Sequence, residues 1–194
     1  MKNNHDLRER ITCFSDDLYE GEDILRNFLF DNCNIIRFTN VPHIKIGLAQ
    51  FKKAGGNRDK TFIATVDKLS PFFLKTLTNN MRFENIEQGK KKKFTHYFYR
   101  LSQEIKYHLN KETLLFDSYN NSSCFYGFED PTFYIDDIMA GCIISHEDEL
   151  VLFLTEKEKK FLQDKGFTFE TKDTVIVNGK YTVMTRKNKS DEKI

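Results

Sequence analysis

The chain has no tryptophan, only three prolines, and no unbroken apolar run of the ~18 residues that a membrane-spanning helix needs. The missing run excludes a helical membrane span. The polar start MKNNHDLRER also lacks the apolar stretch of a secretory signal, so a cytoplasmic protein is expected. Cysteine is sparse: no two of Cys13, Cys33, Cys124 and Cys142 fall within three residues of each other. That excludes a CxxC redox motif or a zinc knuckle and leaves reduced, mostly buried thiols as the expectation. Catalytic and nucleotide-binding signatures are missing as well. There is no HExxH, HxH, EF-hand loop, Walker pattern or GxGxxG, and the Gly55–Gly56 pair beside lysines opens no helix. No repeat of 20 to 50 residues occurs.

One absence is local. Between Glu112 and Glu156 there is no Lys or Arg, while ten acids fall there. The segment carries −10 and the remainder +11, although the whole chain sums to only +1. Such sorting either lets two halves of one fold attract each other or creates a one-signed surface that steers a basic partner or holds a cation. Elsewhere, Lys90 to Lys93 form a basic run with no interleaved arginine or aromatic to stack a base, so nucleic-acid binding is not expected.

Phenylalanine and tyrosine are abundant, at 19 and 8 of 194 residues. Each aromatic can bury ~150 to 250 Å², which allows a packed core despite 39% hydrophobic content. One domain over residues 1–187 is expected, with a candidate sub-boundary in the polar connector 82–93 and a disordered tail at 188–194. Residues 1–11 read as frayed or a short helix. A helix starts at Ser15 or at Gly21, with Leu18, Leu25, Phe28 and Leu29 on one face. Strands follow at 34–39, 43–51 and 61–66. Ser70 and Pro71 signal a helix to Asn79, and Phe94 to Leu109 shows the three-and-four spacing of a longer one. His96 and His108 sit about 120° apart around that helix and so share no metal.

The second half reads as β-rich: 113–116, 124–128, 132–135, then a hairpin of 138–145 and 149–154 with His146 at its tip. Thr155 and Glu158 spell a capping box, and Gly166 suits the end of that helix. Strands at 167–170, 174–177 and 180–185 close the chain, the last two joined at Asn178–Gly179. The fold class expected is α+β, a mixed or mainly antiparallel sheet with three to four helices packed on it.

The stretch from Phe125 to Leu154 holds the candidate site. Its acids cluster at turn positions among aromatics, giving Tyr126, Glu129, Asp130, Tyr134, Asp136, Asp137, Glu147 and Asp148 as binding residues. Tyrosine amid carboxylates suits an interface with a basic protein, so the expected function is an intracellular interaction module that inhibits or neutralises such a partner, as immunity proteins and antitoxins do. No cofactor is expected on this reading. The alternative is a phosphoester hydrolase using Mg²⁺ or Mn²⁺ held by carboxylates in 129–149, with His146 as a further ligand. A nucleophilic pair of Cys142 with His146 fails on distance, ~13 Å along a strand.

Overall fold

The computed structural model describes residues 8–14, 21–40, 66–83, 86–87, 93–112, 128–144, 149–172 and 181–186. Its elements in chain order are β1 (Glu9–Phe14), α1 (Glu22–Asn32), β2 (Ile35–Asn40), a 3-10 turn (Ser70–Phe72), β3 (Phe73–Asn79), β4 (Met81–Phe83) and β5 (Ile86–Glu87). They continue with β6 (Phe94–Arg100), α2 (Gln103–Glu112), β7 (Glu129–Ile135), β8 (Ile138–Ile144), β9 (Glu149–Leu154), α3 (Glu156–Asp164), β10 (Phe167–Lys172) and β11 (Tyr181–Arg186). Nine of these strands form one sheet in the order β10-β11-β1-β9-β8-β7-β2-β6-β3, antiparallel throughout except where β1 meets β11.

The α+β class with three to four helices packed on a sheet is corrected by this arrangement. The molecule is dominated by its sheet, and the helices α1, α2 and α3 span only 11, 10 and 9 residues. Two segments expected to be helical supply strands instead. After the turn at Pro71, residues 73–79 run as β3, and the long helix expected from Phe94 divides into β6 and α2. In β6, buried Phe94 and His96 lie on one face and Tyr97 and Tyr99 on the other. A strand apolar on both faces leaves no period of two to read, so its aromatics also fit a helical spacing. Ser102 then caps α2, its Oγ accepting from Ile105 N at 3.2 Å. At the start of the chain, residues 9–11, expected to fray or form a short helix, belong to β1, an interior strand between β9 and β11.

Two adjacent rows of cross-strand neighbours explain how the sheet buries both faces. One row crosses seven strands as Ile11, Leu152, Gly141, Phe133, Ile36, Tyr99 and Phe73. Helix α1 packs on this face through Leu25, Phe28 and Leu29, which join the main hydrophobic cluster. At Gly141 α1 comes close to the sheet: a Cβ there would stand 3.0 Å from Leu29 Cδ2 and 3.1 Å from Leu152 Cδ2. The other row, one residue along, runs Thr12, Val151, Cys142, Thr132, Arg37, Phe98 and Lys75 on the opposite face. Thr12, Thr132, Arg37 and Cys142 are all buried there, so this face carries a polar layer.

Helix α3 forms as its spacing predicts. Thr155 Oγ1 accepts from Glu158 N, and Glu158 Oε2 accepts from Thr155 N at 2.7 Å. Gly166 follows its end at φ 94°. Arg8 makes a two-pronged contact with Glu158 at 3.0 and 3.1 Å, and Lys159 reaches Glu9 at 2.7 Å, tying α3 to the chain around β1. The expected strands at 43–51, 113–116 and 174–177, the 178–179 turn and the His146 tip lie outside the described residues, as do 61–65 and 124–127 of two further expected strands.

Candidate interaction surface

The residues singled out in the sequence separate into three groups. Glu129 and Asp130 are buried, 4% and 0% exposed, and Tyr134 is buried on the same strand. Asp136 and Asp137 are exposed in the β7–β8 turn, at the other end of β7 and roughly 23 to 26 Å from Glu129 at ~3.3 Å per residue. Tyr126, Glu147 and Asp148 lie outside the described residues. The structure therefore does not gather Glu129 and Asp130 with Asp136 and Asp137. Among the described residues, no group of three His, Cys, Asp or Glu side chains converges as metal ligands would.

Why Glu129 and Asp130 turn inward is visible in the register. Between Arg37↔Thr132 and Thr39↔Glu129 the β2–β7 ladder slips by one residue, and Asp130 takes φ 50° there. Aspartate tolerates this left-handed conformation better than most residues, and the bulge re-aims the strand where both acids are buried, with Glu129 opposite Thr39 on the polar face. Arg37 Nη2 donates to Thr132 Oγ1 at 2.9 Å, and Thr132 Oγ1 also contacts Asp130 O at 3.1 Å and Cys142 Sγ at 3.2 Å. The Arg37 guanidinium lies 5.8 Å from the centre of the Tyr134 ring, which packs against Phe98.

A second row in this layer, Glu129, Thr39, His96 and Leu77, leads to the sheet edge. His96 Nε2 lies 2.8 Å from Met81 O and 3.2 Å from Asn79 Oδ1, both acceptors, so Nε2 carries a proton. In the neutral ring Nδ1 then accepts from Thr39 Oγ1 at 3.0 Å. Asn79 Oδ1 also accepts from Met81 N at 2.9 Å. One buried imidazole thus ties the end of β3, and the turn beyond it, to the interior of the sheet.

The edge so held is apolar. Among the described residues β3 is the last strand of the sheet, and all its residues except Asn79 are exposed. Phe73, Leu74 and Leu77 show 44%, 42% and 49% of their surface to solvent. A bulge at Leu74 separates Phe73, which packs edge-on against Tyr99, from the regular stretch Lys75–Asn79. Lys75, the single charge on the strand, lays its ammonium 4.9 Å from the centre of the Phe98 ring. Sheet edges are ordinarily guarded by several charges, proline or a covering element, because an open row of amides and carbonyls accepts another strand. Sequence reasoning missed this surface by assigning 70–79 to a helix, although Phe73, Thr76 and Thr78 are residues that favour strands.

Beneath the edge, Tyr99 is wholly buried, and its hydroxyl finds no hydrogen-bond partner among the described residues. Burial, followed by the neighbouring Tyr97, raises its pKa, and burial alone raises that of Tyr97. A concavity of about 730 Å³ lies between α1 and α3, with Ile24, Phe28 and Phe161 among its lining. Two of its lining charges, Arg8 and Glu158, are paired with each other. No helix among the described residues is long and apolar enough to cross a membrane. Comparison with known proteins finds no family model, curated protein or solved structure that matches the chain.

Proposed function

We propose that the protein is an interaction module whose working surface is the β3 edge, taking up an extended segment of a partner by strand addition. The observation that carries this reading is the exposure of Phe73, Leu74 and Leu77 on a terminal strand bearing one charge. In strand addition, backbone hydrogen bonds supply affinity, and alternate side chains supply specificity. The reading keeps the interaction role expected from sequence but moves it. Glu129 and Asp130 are buried, so among the expected binding residues that are described only Asp136 and Asp137 remain open to a partner. Lys75 favours a neutral or acidic residue directly opposite it over a basic one.

The test is affinity capture from the producing cells with wild-type protein and a Leu74→Lys/Leu77→Lys variant, alongside thermal melts of both. Both positions are exposed, so melting is expected to change little, and a partner held by wild type should be lost from the variant. Equal capture by the two proteins would overturn β3 as the working edge.

A further inference from the structure

We infer that a second copy of this chain occupies the β3 edge, the two strands pairing antiparallel about a two-fold axis at Leu77. The inference rests on the reading of β3 as an interaction edge and names its occupant.

The regular part of β3 is Lys75–Asn79, since the bulge at Leu74 interrupts the ladder before it. Its central residue is Leu77, the most exposed apolar residue of the strand. A two-fold axis at that point places Leu77 opposite Leu77 of the second copy, Thr76 opposite Thr78, and Lys75 opposite Asn79. Apolar meets apolar, hydroxyl meets hydroxyl, and each lysine faces a neutral amide. Such cross-strand pairs are the favourable ones, whereas like charges directly opposite destabilise a ladder. The two Lys75 residues stand four positions apart along the pair, about 13 Å. At physiological salt that separation exceeds the ~8 Å over which exposed charges act.

Closure also favours this pairing. Contact between β3 of one copy and β10, at the other end of the sheet among the described residues, is heterologous and would propagate into a filament, whereas β3 against β3 is isologous and stops at two. The hydrogen bonds of His96 to Asn79 and Met81 hold the end of this stretch in its extended conformation before a partner arrives, which lowers the ordering cost of association.

Sedimentation equilibrium across a concentration series tests the inference, using wild type, Leu77→Lys, Leu77→Glu and an equimolar mixture of the two variants, each checked for wild-type melting. Wild type is expected to form a dimer of twice 23.0 kDa. Each single variant, with like charges opposed at the axis, is expected to dissociate at least tenfold more readily. The mixture should regain the dimer, because lysine then faces glutamate. Three results would overturn the inference: a wild-type monomer at every concentration, a dimer that Leu77→Lys leaves intact, or a mixture that stays dissociated. A monomer that still captures a partner through Leu74 and Leu77 would overturn the second-copy occupant alone and leave the β3 edge standing.

Discussion

Asn34 and Asp136, 102 positions apart, are joined by two reciprocal hydrogen bonds: Asn34 Nδ2 donates to Asp136 Oδ1 at 2.7 Å, and Asp136 N donates to Asn34 Oδ1 at 2.8 Å. The backbone of Asn34 adds bonds to Tyr134 O and from Leu101 N, so one residue fastens the adjoining ends of β2, β6 and β7. Asp136 also takes φ 57°. Asn34→Ala is expected to lower stability by about 1 to 2 kcal/mol, and Asp136→Ala by a similar amount. Asp136→Asn should be nearly neutral, since asparagine keeps an acceptor oxygen and tolerates the left-handed backbone. Urea melts of the three variants check this. Equal losses for Asp136→Ala and Asp136→Asn would show that the oxygen is not what matters.

Tyr99 gives a prediction of opposite sign. Its buried hydroxyl lacks a hydrogen-bond partner among the described residues, and an unsatisfied buried polar group costs about 1 to 3 kcal/mol. Tyr99→Phe removes that group and keeps the ring contacts with Phe38, Phe73 and Phe128. A higher melting temperature is expected. A drop of several degrees would mean that the hydroxyl is satisfied in solution.

Gly141→Ala probes the approach of α1 to the sheet. The added methyl meets the ends of Leu29 and Leu152 at 3.0 and 3.1 Å, so those side chains must move, and overpacking of this kind costs about 1 to 3 kcal/mol. Combining it with Leu29→Ala should cost less than the two single losses added, because the cavity receives the methyl. Strict additivity in a double-mutant cycle would place α1 elsewhere.

Alkaline pH should destabilise the protein in part through Cys33. Burial pushes its thiol up from 9.0 to about 12, with Arg8 and Lys106 opposing and Glu158 adding to the rise. The folded protein thus holds this proton more tightly than the unfolded chain. Its contribution is fully present below about pH 9 and is lost as pH climbs toward about 12. Tyr99 and Tyr97, both raised above 10.0, act in the same direction. Melts from pH 7 to 10.5 should fall above pH 9, and Cys33→Ala should fall less steeply. Identical slopes would rule out Cys33 as a contributor. The same burial predicts that iodoacetamide labels Cys13, Cys33 and Cys142 only after unfolding.

Removing the Thr155 hydroxyl should cost about 1 kcal/mol, the usual worth of a capping box residue. Glu158→Gln should cost as much or more, because the same carboxylate also takes Arg8. Denaturant melts check both, and two neutral substitutions would contradict the cap.

What could be read in advance were the features governed by neighbours along the chain. The Thr155–Glu158 cap, the left-handed Gly166 and the two strands β8 and β9 all depend on spacings of a few residues, and each stands where those spacings put it, whereas β7 runs on through Pro131, where a break was expected. Residues 73–79 and 94–100 were misassigned because strands apolar on both faces, or paired on one side only, present no alternation. Their aromatics then fit a helical spacing equally well.

The candidate surface was still less legible. An acidic segment without a single Lys or Arg is a property of the amino-acid sequence alone, and so are the abundance of phenylalanine and the lack of catalytic signatures. Whether a given carboxylate faces water depends on strand register. A one-residue slip in the ladder lies beside Asp130, and both Glu129 and Asp130 are buried there. Which strand ends the sheet depends in turn on pairings between residues scores of positions apart, and it was the tertiary structure that left β3, with Leu77 uppermost, uncovered. Local preference sets what a short segment can become, but burial and edge position arise from long-range pairing, because a side chain's surroundings are made by strands it never neighbours in the chain.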